Sequence, residues 1–365
     1  MPTNATQADT LRAIAALPER GGILLLGAVD TGKTTLAHEA VRHAVRTTGA
    51  TCALVDADVG QSEIGIPGVV ACAIASPANV DAHARDWPRR HAAFVGCTSP
   101  SPRLAKWLGA VAACVRACRS AGAGRIVVDT PGWVTGPVAR EAYAALLQIS
   151  PADLVVLLER PRAPNPLAAL FSLREPPPVV ARIETPEGVG RKARATRTAR
   201  RSSRLGAYFR DASRLEVAWE RVGILGGLFA GEQSMPPHVL KFIGGVLSSR
   251  CLYATRSEER QLHVIVDKVG PASADRQIAP ITEQFGVRGV VVTPSSSYHS
   301  LLVGLADSAG QYLESGLIES IDFASGRLYV LTPLKNAAPI AQIELGLLRC
   351  RRDGKELGEL RVGTF

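Results

Sequence analysis

The chain has 365 residues, 46% hydrophobic and 21% charged, enough to bury a sizeable core in roughly two or three domains. No apolar run reaches the roughly 18 residues of a membrane span, and the N-terminus lacks a basic-then-apolar leader, so membrane and secreted classes are set aside and a cytoplasmic protein is expected. The formal charge of +9 is concentrated: seven basic residues between 191 and 204 account for all but +2 of it, which points to a polyanion handled at one place.

Residues 1–20 are expected to form a short amphipathic helix on Leu11, Ile14 and Leu17, with no chemistry of its own. Next, the apolar run Ile23–Leu26 leads into Gly27, followed by Gly32-Lys33-Thr34. This is G-x-x-x-x-G-K-T between a predicted buried strand and a predicted helix from Leu36 to about Thr47. Glycines at both ends let the backbone bend so that its N–H groups face phosphate oxygens. Lys33 can reach the β- and γ-phosphates, Thr34 can ligate Mg²⁺, and the helix N-terminus adds partial positive charge. The loop Gly27–Thr35, including Asp30, Thr31, Gly32 and Thr35, is therefore the expected nucleotide contact, with ATP or another NTP and Mg²⁺ as cofactors.

A second strand, Thr51–Val55, ends in Asp56-Ala57-Asp58-Val59-Gly60-Gln61. Carboxylates at the carboxyl end of a parallel strand sit where such sheets bind ligands, and can hold Mg²⁺ or accept a proton from an attacking hydroxyl. The competing reading is one helix-capping and one structural aspartate. Phe94–Val95 is another short strand, ending in the hydroxyl-rich loop Gly96-Cys97-Thr98-Ser99-Pro100, and an Ala-rich helix follows over Leu104–Arg119. The buried strand Ile126–Val128 ends in Asp129-Thr130-Pro131-Gly132-Trp133. D-T-P-G resembles the turn of phosphate-loop enzymes that brings an aspartate and a glycine to Mg²⁺ and the γ-phosphate, so Asp129 joins Thr34 and Asp58 as an expected metal contact. Trp133 fits either a core position or a stacking surface for a base or sugar.

Leu154–Leu158 is a further strand, giving at least five that alternate with helices. The pattern predicts an α/β fold: a phosphate-loop parallel sheet with helices on both faces. No N-K-x-D guanine-reading sequence follows. Residues 160–190, rich in proline, read as an irregular connector. Arg191, Arg194, Arg197, Arg201 and Arg204 then recur every three or four residues and form one helical stripe without acidic partners. Their forked guanidinium groups suit phosphate oxygens, so the stretch from about 185 to 210 reads as a lid, with Tyr208-Phe209 anchoring its end. The expected domains are a kinase-type core over 21–212 and a smaller β-rich C-terminal domain over 213–365, with strands at Val222–Phe229, Leu262–Val266, Gly289–Thr293, Leu301–Leu305, Gly316–Phe323, Arg327–Leu331 and Ile343–Leu348. His263 and His299 show no metal-ligand spacing, and the seven cysteines, odd in number and without C-x-x-C, read as reduced thiols.

The order G-x-x-D-x-G-K-T-T, D-x-D-x-G-Q-S-E with I-P-G, G-C-T-S-P, T-P-G-W and an Arg-rich segment ending in Tyr-Phe resembles the polynucleotide 5′-hydroxyl kinases. These include the kinase subunit of the pre-mRNA cleavage machinery and the ribosomal-RNA-processing kinases; residues 316–323 and 331–333 look more like the latter branch. The resemblance covers about 20–210. It implies transfer of the γ-phosphate of an NTP to the 5′-hydroxyl of RNA or DNA, single-stranded or duplex. By it, Asp58 matches the general base and metal-organising aspartate, and Gln61 lies near metal and substrate. Thr98 contacts the nucleic acid, Trp133 clasps its terminal nucleotide, and Arg197 is a lid arginine, with the second lid position at Arg191 or Lys192. Arg201 falls among the arginines expected on substrate phosphates. The family's eukaryotic members carry a large N-terminal β-domain where this chain has about twenty residues before its first strand, so the resemblance does not carry over the adenine and partner contacts made there. No protein partner is readable. Two other classes fit the loop alone: an assembly NTPase, which would need neither Trp133 nor Thr98, and a small-molecule kinase, which would not need the arginine stripe.

Overall fold

In the computed structural model, which describes residues 6–360 apart from 151, 172–176, 186–189, 191–192, 227–233, 258–259 and 269–274, Thr6 caps the first helix. Its side chain accepts the Asp9 N–H while the Asp9 carboxylate accepts the Thr6 N–H, a reciprocal box that starts α1 (Gln7–Ala16). The chain divides into two units, Met1–Leu205 and Gly206–Phe365.

The first unit continues with β1 (Gly22–Gly27), α2 (Lys33–Thr48), β2 (Cys52–Asp56), β3 (Val69–Ala75), β4 (Arg89–Phe94), α3 (Leu104–Ser120), β5 (Arg125–Asp129), α4 (Pro137–Ile149), β6 (Leu154–Glu159) and β7 (Val179–Glu184). Its sheet runs β4-β3-β2-β5-β1-β6-β7. Strands β2, β5, β1, β6 and β7 are parallel, whereas β3 turns back along β2 and β4 along β3. Alternate residues serve opposite faces. Ile23, Leu25, Leu54, Val127 and Val156 pack with Leu36, Ala40, Val41 and Ala44 of α2, while on the other face the Cys72 thiol of β3 reaches the Cys114 carbonyl of α3. The expected helices on both faces are present. Register places Leu25 beside Asp129 and Asp56 beside Asp129, so the carboxyl ends of β1, β2 and β5 form one rim.

Two differences from expectation stand out. The short strand at 94–95 is the end of the longer antiparallel β4, and its partner β3, buried throughout, belongs to the same hairpin. The connector over 160–190 also contains an edge strand, β7, whose half-exposed residues give no apolar run.

α5 (Arg194–Tyr208) leads into the second unit. There follow β8 (Ser213–Ala218), β9 (Gly223–Leu225), α6 (Pro237–Val246), β10 (Cys251–Arg256), β11 (Gln261–Val266), α7 (Asp275–Phe285), β12 (Gly289–Pro294), β13 (Leu301–Ala306), β14 (Tyr312–Asp322), β15 (Arg327–Thr332), β16 (Gln342–Cys350) and β17 (Glu356–Glu359). One sheet runs β17-β16-β13-β14-β15-β8, with β9 beside β16; a smaller one runs β10-β11-β12. The unit is β-rich as expected, but α6 and α7 cover the smaller sheet through Ile243, Leu247 and Ile281. The strand expected over Val222–Phe229 is only β9, and residues 227–229 lie outside the described residues. Tyr208 and Phe209 do anchor the end of α5: the Tyr208 hydroxyl donates to Glu314 at 2.5 Å and accepts the Ser315 N–H, and Phe209 is fully buried. No helix among the described residues is long and apolar enough to cross a membrane.

Candidate active site

The loop between β1 and α2 is shaped by two glycines. A Cβ on Gly27 would meet the Thr31 hydroxyl at 2.7 Å and the Leu158 carbonyl at 2.8 Å, and Gly32 adopts φ 91°, a left-handed conformation that caps α2. Lys33 folds back along the loop, its Nζ donating to the carbonyls of Gly27 (2.8 Å) and Ala28 (2.9 Å). Burial pushes its ammonium below the ordinary lysine range, opposed by the carboxylates of Asp129, Asp58 and Asp30. Thr31 donates to the Ala28 carbonyl, and Thr34 donates to Asp129 Oδ2 at 2.6 Å.

Asp129 ends β5 and is 3% exposed. Its Oδ1 is buried with no hydrogen-bond partner, and burial pushes the carboxyl up to about 7, against the pull of Lys33 and the Thr34 hydroxyl. The two aspartates at the end of β2 separate cleanly. Asp56 is a structural group: its Oδ2 accepts from the Ser62 hydroxyl and the Glu63 and Ile64 N–H groups, which folds the following loop. Asp58 is half-buried, and its Oδ1 accepts the N–H groups of Gly60 (2.9 Å) and Gln61 (3.0 Å). Burial raises its carboxyl above the usual range, opposed by Lys33, those two N–H groups and the Arg201 guanidinium.

Neighbouring loops close around this carboxylate. A Cβ on Gly60 would stand 2.7 Å from the Thr98 carbonyl, so the Asp58 and Thr98 loops touch back to back. Across the loop after β5, a Cβ on Gly132 would stand 2.4 Å from Val29 Cγ1 and 2.6 Å from its nitrogen. Trp133 stands half-buried beside it; the core tryptophans of this unit are Trp87 and Trp107.

Three arginines of α5 have acidic partners, supplied by distant loops. Arg197 pairs with Asp30 of the phosphate loop at 3.0 Å, and the Gln61 amide donates to the Arg197 carbonyl. Arg200 and Arg204 both pair with Glu63, and Arg204 also donates to the carbonyls of Glu63 and Gly65. Arg201 donates to the Thr198 hydroxyl. Arg191 and Lys192 lie outside the described residues.

A cavity of about 410 Å³ opens over the phosphate loop from Val29 to Thr35, with Asp58, Gln61, Gly132 and Arg197 on its walls. Thr98 and Trp133 stand outside it. It continues along α2 past His38 and Arg42 towards His83 and Arg85, residues that no motif signals. Among the described residues no group of three His, Cys, Asp or Glu side chains could by itself hold a metal ion.

Fold and loop together define a P-loop nucleotide-binding domain. The family described as mRNA cleavage and polyadenylation factor CLP1 P-loop matches residues 27–211, and the chain belongs to it. A polyribonucleotide 5′-hydroxyl-kinase of Pyrococcus horikoshii is 26% identical over 363 residues, covering 95% of this chain and 91% of the relative. One of Thermococcus kodakarensis is 27% identical over 354 residues, covering 96% and 94%. Among solved structures, a wild-type Clp1p–Pcf11p complex superposes with a TM-score of 0.59 at 14% identity, over 93% of this chain and 77% of that one, and supports the fold.

Proposed function

We propose that this protein is a polynucleotide 5′-hydroxyl kinase, transferring the γ-phosphoryl group of ATP or another NTP to the 5′-OH end of RNA or DNA in the cytoplasm. The observation that carries the reading is the position of Asp58, on the wall of the phosphate-loop cavity and packed through Gly60 against the Thr98 loop outside it. A carboxylate between donor and acceptor loops is what an attacking hydroxyl needs, and a hydrolase has no use for the second loop. The archaeal relatives named as polyribonucleotide kinases match nearly end to end, which favours RNA.

In the proposed reaction Asp58 takes the proton of the 5′-hydroxyl, whose oxygen forms a bond to the γ-phosphorus as the bond to the β,γ-bridging oxygen breaks and the nucleoside diphosphate leaves. Lys33 and Arg197 neutralise charge that spreads over the transferred group. Arg197 reaches the phosphates by exchanging its Asp30 partner for phosphate oxygens. Trp133 stacks on the terminal nucleotide, with Thr98, Gln61, Arg201 and, in the stretch 191–192, Arg191 or Lys192 along the strand.

The oxygen set fits Mg²⁺: the Thr34 hydroxyl, the unpartnered Asp129 Oδ1 and Asp58, too few to cage a metal alone but suited to a cation shared with phosphates and water. Held by these oxygens, Mg²⁺ would supply positive charge to offset that of the phosphates during transfer. The test is incubation with γ-labelled ATP, Mg²⁺ and matched 5′-hydroxyl and 5′-phosphate oligonucleotides, as RNA and as DNA. Label is expected only on 5′-hydroxyl strands and is expected to vanish with Asp58→Asn. ATP consumed without labelled oligonucleotide would replace this reading with an assembly NTPase.

A further inference from the structure

Two aromatic side chains in the first unit are fully buried and give their only polar atoms to the backbone of the site loops. Trp107 of α3 donates its indole N–H to the Ala57 carbonyl at 2.9 Å, the residue between Asp56 and Asp58. Tyr143 of α4 donates its hydroxyl to the Pro131 carbonyl at 2.9 Å, two residues beyond Asp129 and next to Gly132. The rings meet edge to face, centroids 6.1 Å apart and planes at 74°. The loops also bond each other directly, the Ala57 N–H donating to the Asp129 carbonyl at 2.9 Å, so backbone and rings close a circuit. The Thr130 hydroxyl extends it to the Leu25 carbonyl of β1, two residues before the phosphate loop begins.

We propose that Trp107 and Tyr143 form a clamp that sets the spacing of the Asp58 loop against the Asp129–Gly132 turn, and that both are positioning residues for phosphoryl transfer. Packing alone does not ask for these residue types. Leucine or phenylalanine fills such volume without a polar atom that must find a partner when buried. Here both partners are carbonyls of loops that end strands: Ala57 lies fifty residues before Trp107, and Pro131 lies in the turn between β5 and α4. Neither ring lines the cavity, so neither touches a substrate bound there. In-line transfer depends on sub-ångström placement of the base relative to the phosphate, and a joint held by two hydrogen bonds and a ring contact supplies it.

The proposal rests on the kinase reading, and two measurements keep the two apart. Trp107→Phe and Tyr143→Phe each keep a ring and delete the hydrogen bond to the loop carbonyl. Each is expected to lower kcat about tenfold with the KM for ATP within twofold. Val111→Ala, which opens a cavity in the same helix, is expected to lower Tm and leave kcat within twofold. In hydrogen exchange, Trp107→Phe is expected to speed exchange at residues 129–133 as well as at 56–61, although the lost bond touches only the latter. An equal loss of kcat in Val111→Ala at matched Tm, or faster exchange confined to 56–61, would overturn the clamp. Absence of transfer by the unaltered protein would overturn the kinase reading instead, and the exchange pattern would still decide the clamp.

Discussion

Replacing Asp129 with asparagine keeps the volume of a buried side chain and removes its charge. The carboxylate is 3% exposed, accepts one hydrogen bond from Thr34 and leaves Oδ1 without a partner, and burial pushes it up to about 7. Its unfolded value is about 4, so in this range the folded state is the stronger proton binder. The stability this group contributes is therefore full below pH about 4 and is lost as pH rises through about 7. A net shift of about three units, the attraction of Lys33 for the charged form included, corresponds to at most about 4 kcal/mol across that window. Asparagine has no proton to lose. In metal-free buffer, Asp129→Asn is expected to remove the larger part of the pH dependence and to raise the unfolding free energy at pH 8 by about 1–2 kcal/mol, while transfer activity is lost. The shallower slope that remains belongs to Asp56, pushed up to about 6 by burial, and to Asp58, which burial also raises. Urea unfolding of both proteins with chelator, at half-unit steps from pH 5 to 8, measures the difference. A variant less stable than the parent at pH 8, or one that keeps the parent's slope, would refute the idea that this carboxylate is held at a cost which a bound cation offsets.

Gly132→Ala tests the contact between the loop after β5 and the phosphate loop. The new Cβ would stand 2.6 Å from the Val29 nitrogen, and backbone cannot rotate away, so the phosphate loop must shift. ATP affinity by calorimetry is expected to fall at least tenfold, in line with the roughly 1–3 kcal/mol of an overpacked site; unchanged affinity would show that the loop yields freely. Arg197→Ala is expected to lower kcat by roughly 10²-fold or more while the Kd for ATP changes less than about threefold. Turnover at the parent's rate would remove Arg197 from the chemistry.

The phosphate loop is legible because its signature is local: glycines, a lysine and a threonine at fixed spacing between a strand and a helix. The parallel strands are legible for a related reason, since burial on both faces leaves continuous apolar runs such as Ile23–Leu26. What escapes has neither property. β7 is an edge strand whose residues are half-exposed, so no run marks it, and α6 and α7 carry glycine, proline and β-branched residues that blur a helical pattern. The arginine stripe looks unpaired within its own segment because its partners, Asp30 and Glu63, lie well over a hundred residues earlier.

Trp107 makes the sharpest case. With Ala110, Val111 and Cys114 it follows the spacing of a helix's buried face, and on that pattern it is core and nothing more. Its indole N–H, however, finds the one carbonyl between two aspartates fifty residues upstream. Periodicity says which face of a helix turns inward, but not which loop end that face meets. That depends on the sheet order, which sets β2 between β3 and β5 and so brings the Asp58 loop over α3. A residue's part in positioning the site is thus written in the topology, and becomes readable only once the strands are placed.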